Sequence, residues 1–128
     1  MKGYLKTTAG FVLSATMASV SHADVTIGEL QGFTGPLESM IGAMSGGANL
    51  AVTEANASGK YLQGTINVVQ GDSVCIDPAV AIAQAEKMIN DDNVMAIMGP
   101  NCSGNTGAVI TNVLVPNGIV SISPSATS

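Results

Sequence analysis

The stretch Gly99-Pro100-Asn101-Cys102-Ser103-Gly104-Asn105-Thr106 is where residue types and spacing point to chemistry. It follows the apolar run Val94-Met95-Ala96-Ile97-Met98, which reads as a buried strand. It precedes Ala108-Val109-Ile110 and Val113-Leu114, which read as a helix. A turn of small polar residues from strand into helix leaves unsatisfied backbone N–H groups at the helix start. With the positive end of the helix dipole, they suit a carboxylate or a phosphate. A second polar stretch, Ser123-Pro124-Ser125-Ala126-Thr127-Ser128, follows the run Ile119–Ile122. Its hydroxyls and backbone groups suit a zwitterion, although an ordinary Ser/Thr loop reads the same way. Gly99-x-x-x-x-Gly104-Asn105-Thr106 nearly matches the phosphate loop G-x-x-x-x-G-K-[ST], but Asn105 replaces the lysine that reaches the phosphates. Nucleotide binding is therefore not expected.

Other chemistries lack their residues. The chain has no Arg, and its one His is His22, close to the N-terminus. Past that point a Ser–His or Cys–His nucleophile system cannot be assembled. Two Cys without His ligate zinc poorly. An enzyme would rely on Asp72, Asp77 and Glu29 for acid–base work, and none stands beside an obvious nucleophile. Asp72 and Asp77 lack calcium-loop spacing and read as a loop carboxylate and a helix cap. The seven Met residues read mostly as helix and strand core, and no motif asks for a cofactor or a metal.

Residues 1–23 read as a secretory signal. Lys2 and Lys6 precede an apolar, small-residue run from Thr8 to Val20, and Ser21-His22-Ala23 has the small residues of a cleavage site. The run is too short and too rich in Ser and Thr to span a membrane. Residues 24–128 then form one small domain, in which Lys60 and Lys87 face nine acids, two against nine, for a net charge of −7. That sign excludes a nucleic-acid binder, which needs cations to displace counterions. A small molecule or a protein is the expected partner.

The elements that position these turns follow from periodicity. Val25–Leu30, Thr65–Gln70, Val94–Met98 and Ile119–Ile122 read as strands. A helix is expected from about Ser39 to a left-handed cap at Gly59, with Ile41, Met44, Ala48, Ala51, Val52 and Ala55 on its buried face. Gly42, Gly46 and Gly47 weaken it, and its small residues would let it lie close to a sheet. Asp77-Pro78 is a helix start, with Asp77 capping and Pro78 at the first position. Ala81 or Ile82, Ala85 and Met88-Ile89 are its buried stripe. A third helix runs from about Gly104 to Val115. This β-α-β-α-β-α-β order predicts an α/β fold, a parallel sheet covered by helices on both faces. Ligands of such sheets sit beyond the carboxyl ends of the strands, where strand order reverses. The candidate loops are Gln31–Pro36, Gly99–Asn105 and Ser123–Ser128. No helix follows the fourth strand, so a part of a larger protein is expected.

Cys75 and Cys102 are the only cysteines, and in an oxidising compartment an even pair reads as a disulfide. It would tie the loop after strand two to the loop after strand three and stabilise the fold by roughly 3–4 kcal/mol.

Five stretches in order resemble the branched-chain amino-acid (Leu/Ile/Val) binding proteins of ABC importers. They are Gly32–Pro36, Gly47–Ala57, Asp72–Pro78, Gly99–Thr106 and Ile122–Thr127. The resemblance implies a periplasmic-binding-protein type I fold, of which residues 24–128 are the first part of the N-terminal lobe. It also implies a ligand site at Cys102, Ser103, Ser125, Ala126, Thr127 and Met40. Ser103 would hold the ligand carboxylate through its hydroxyl and N–H. Thr127 would share that role and hold the ammonium, and the Ser125 carbonyl would accept from it. Cys75 and Cys102 match the family disulfide. Met40 stands where leucine-binding members carry an aromatic, which leaves the preferred ligand open. The implied protein is a periplasmic monomer that passes an amino acid or amide to a membrane permease. A sensor domain of the same fold for amides or urea, and a truncated fragment without activity, are the alternatives.

Overall fold

The computed structural model describes residues 23–60 and 64–128. The expected signal therefore lies outside the described residues, Ala23 excepted. Four strands, β1 (Val25–Gln31), β2 (Ile66–Asp72), β3 (Ala96–Met98) and β4 (Val120–Ile122), form one parallel sheet in the order β2-β1-β3-β4. Strand order reverses at β1, so the switch point lies between the tips of β1 and β3.

Helices cover both faces. Side chains alternate along a strand, so Gly28 and Leu30 face one way and Ile27, Glu29 and Gln31 the other. On the first side, helix α2 (Pro78–Asn90) contributes Ala81, Ala85 and Met88 to the core. The long third helix adds Val109, Val113 and Leu114, and the sheet adds Leu30 and Ile97. On the second side lies α1 (Glu38–Ser58), whose Ser45 bonds Glu29.

The caps form as the sequence predicts. Gly59 closes α1 at φ 59°, and the Asp77 carboxylate accepts from the Ala79 amide at 2.9 Å, ahead of Pro78. The third helix differs from a regular one. Its first segment α3 (Ser103–Val109) passes through a π-helical turn, Ile110–Leu114, into a last turn α4 (Val115–Asn117). The Val115 N–H reaches back five residues to the Ile110 carbonyl. The extra residue rotates Leu114 into the core beside Val113.

Helix α1 also departs from expectation. Ile41 is buried, and Met44, Ala48, Val52 and Ala55 are half-buried, but Ala51 is exposed and Ser45 is buried in the stripe. Gly42, Gly46 and Gly47 point into open space, so they do not serve close approach to the sheet. Beyond α1 the second face carries no further helix among the described residues. Across it Glu29 pairs with Met98 and Met98 with Ile122, and Ile122 is 73% exposed. A trough of about 360 Å3 runs here over Ala96, Met98, Val120 and Ile122. Among the described residues, coverage on this side is thus limited to α1. Among the described residues no helix is long and apolar enough to cross a membrane.

Candidate functional site

The loops at the strand tips are knitted by hydrogen bonds that start from small polar residues. Gly99 makes the first close approach. Its φ is +114°, and a Cβ there would run into the Leu30 carbonyl, so only glycine fits. Next, the Pro100 carbonyl accepts from Thr106 Oγ1 at 2.9 Å and from Ser123 Oγ at 2.6 Å. The Asn101 carbonyl accepts from Ser125 Oγ at 2.7 Å. The loops after β3 and β4 are thereby joined side by side. Ser121 Oγ adds a bond to the Gly99 carbonyl.

Ser103 and Thr127 meet: the Thr127 N–H donates to Ser103 Oγ at 3.1 Å. Ser103 is the first residue of α3, and Cys102 before it gives no side-chain cap. The first backbone bond of the helix runs from the Thr106 N–H to the Cys102 carbonyl at 2.9 Å. The N–H groups of Ser103, Gly104 and Asn105 precede that bond. Ala126 joins through its N–H, which donates to Ser123 Oγ at 2.9 Å. The Ser125 hydroxyl is committed to Asn101, which leaves its carbonyl as the group with a choice of partner. Met40 belongs to a different element, 53% exposed on the first turn of α1.

Cys75 and Cys102 are joined as a disulfide, with Cα atoms 5.5 Å apart. It links the loop after β2 to the start of α3. Asn105 reinforces this link by donating from Nδ2 to the Ser73 carbonyl at 2.8 Å. The loop after β2 holds an unusual backbone, with Val74 at φ 48° and Cys75 at φ 70°. A β-branched residue in the left-handed region is strained. Asp72 holds it there: its carboxylate accepts from the Val74 N–H at 2.9 Å and from the Thr34 hydroxyl at 2.6 Å. Burial alone would push the Asp72 carboxyl up. The hydrogen bonds from the Thr34 side chain and from the Val74, Thr34 and Phe33 amides outweigh it and hold the group below its ordinary value.

Sequence reasoning missed two polar features. Asn101 and Asn105 act as braces between loops, and no spacing rule marks them. Glu29 is 2% exposed, and its carboxylate accepts from Gln31 Nε2 (2.6 Å), Gln70 Nε2 (2.8 Å) and Ser45 Oγ (3.2 Å). Strand alternation sets Glu29 on the α1 face, but only tertiary packing makes that position buried. Two hollows lie on this face, lined by hydrocarbon, where the described residues cover the sheet incompletely. They differ in character from the amide-rich rim.

A parallel sheet with its order reversing at β1 and polar groups gathered at the tips is the architecture of an α/β ligand-holding lobe. A model of the periplasmic binding protein family matches residues 24–128, and the chain belongs to that family. It is 33% identical over 125 residues to the Leu/Ile/Val-binding protein BraC3 of Rhizobium johnstonii, a match covering 97% of this chain and 33% of that protein. It is 33% identical over 100 residues to the Leu/Ile/Val-binding protein of Escherichia coli, covering 70% of this chain and 26% of the relative. Among solved structures, the branched-chain amino acid transporter substrate-binding protein LivJ of Streptococcus pneumoniae, in complex with isoleucine, superposes with a TM-score of 0.75. The identity is 34%, over 83% of this chain and 30% of LivJ. A solute-binding protein of R. palustris in complex with 4-hydroxybenzoate shares the fold at a TM-score of 0.72 and 23% identity, over 83% of this chain and 28% of that one. The chain spans about a third of the length of such relatives.

Proposed function

We propose that this chain is the first part of the N-terminal lobe of a periplasmic receptor that captures a branched-chain or related amino acid for an ABC permease. The observation that carries this reading is the meeting of Ser103 and Thr127 at 3.1 Å, on the rim where the β3 and β4 loops are laced together. In the receptor the ligand carboxylate takes the Ser103 hydroxyl and N–H, and Thr127 supplies a second donor. The Ser125 carbonyl accepts from the ammonium. Ala126 and Cys102 form the adjoining backbone walls, and Met40, across the rim, borders the side-chain pocket. The similarity to Leu/Ile/Val-binding proteins over nearly the whole chain supports the ligand class. The match of residues 24–128 supports the division into signal and lobe. The role is binding without catalysis, by a periplasmic monomer.

One lobe buries only one side of a ligand, so tight capture belongs to the two-lobed receptor. Calorimetric titration of that receptor with leucine, isoleucine and valine tests the assignment. Heat of binding that is lost in Ser103→Ala is the expected result. Absence of heat with all three and with small amides would remove the assignment.

A further inference from the structure

We propose that Asn101 is a positioning residue that sets the gap between the loop after β1 and the ligand-holding donors; the inference rests on the function proposed above. Asn101 is 2% exposed at the switch point between β1 and β3. Its Oδ1 accepts from the Gly32 N–H at 3.0 Å, across the crevice. Its own carbonyl accepts from Ser125 Oγ at 2.7 Å. One residue therefore joins the loop that leads into α1 and Met40 to the loop that carries Ser125 and Thr127, one position before the disulfide. Gly32 is seated against the same point, since a Cβ on it would lie 3.3 Å from Cys75 Sγ and 3.7 Å from Asn101 Oδ1.

Stability alone does not account for an asparagine here. Its Nδ2 is buried and has no hydrogen-bond partner among the described residues, a cost that an apolar residue would avoid. What the side chain contributes is a directed bond across the crevice. A ligand held from both sides gains affinity when those sides are already at the right separation.

The test is a titration of the whole receptor with leucine, isoleucine and valine, alongside hydrogen exchange of the Gly32 amide. Asn101→Ala should weaken binding about tenfold at temperatures well below its melting point, the loss of one directed bond. Asn101→Asp keeps an acceptor at Oδ1 but buries a carboxylate, so its readout is the Gly32 amide, whose exchange should stay within about threefold of the wild type. Exchange of the Gly32 amide should rise about tenfold in Asn101→Ala. Should that variant not fold, Asn101→Ser, too short to reach Gly32, should show the same losses. Unchanged affinity in a folded Ala or Ser variant, or Gly32 exchange that rises about tenfold in a folded Asp variant, overturns the proposal. If the wild-type receptor binds none of the three amino acids, the functional reading fails on its own. Gly32 exchange then decides the brace: a rise supports it, and no change overturns it.

Discussion

Asp72 shows how a single carboxylate organises two loops. It accepts from Thr34 on one side and Val74 on the other, and these bonds hold its proton affinity low. A depressed carboxyl contributes stability that is present above the unfolded value near 3.8 and is lost as pH falls through the folded value. Thermal melts of the wild type should therefore drop between neutral pH and about pH 3, and Asp72→Asn should flatten that dependence. Parallel slopes for the two proteins would show that Asp72 is not the group responsible. The disulfide acts at the same place by a different means, limiting the unfolded chain. Replacing both Cys75 and Cys102 by Ala should lower the unfolding free energy by roughly 3–4 kcal/mol in denaturant titrations. The pairing was legible from residue count and compartment alone. The strained Val74 was not, because its conformation is imposed by Asp72 and Cys75 and not by its own preference.

At the scale of elements, α1 is the exception among the helices. Helix α2 docks through Ala81, Ala85 and Met88, and the third helix docks through Val109, Val113 and Leu114. Helix α1 buries only Ile41 and Ser45, and its Ser45 belongs to the polar cluster around Glu29. Glu29→Ala should therefore cost about 2–3 kcal/mol, since it leaves Gln31 and Ser45 donors buried without their acceptor. Equilibrium unfolding measures this, and a change under about 0.5 kcal/mol would contradict it. In the opposite direction, Gly46 sits mid-helix, and a Cβ added to it would meet nothing within 4 Å. Gly46→Ala should raise stability by up to about 1 kcal/mol. Strands, caps and the α2 stripe were readable because they rest on local rules: period 2, Asp-Pro at a helix start, Gly at its end. The π-helical turn and the buried Ser45 were not, because each answers to the space left by neighbours far away in sequence.

On the scale of the whole molecule, the two faces of the sheet are unequal. One carries a closed core under α2 and the third helix. The other is covered by α1 over β1 and β2, and among the described residues it is open at Met98, Val120 and Ile122. The parallel order and the rim of candidate loops could be reasoned from the βα alternation. The strand order and the lacing of the loops through Pro100 and Asn101 required coordinates, because backbone carbonyls leave no mark in a sequence. The central claim is that this rim holds the charged head of an amino acid. A crystal structure of the whole receptor with leucine, isoleucine or valine measures it most directly. The ligand carboxylate should lie within hydrogen-bond reach of Ser103 and Thr127, with its ammonium against the Ser125 carbonyl. A ligand seated elsewhere, with those residues still bonded only to each other, would contradict it.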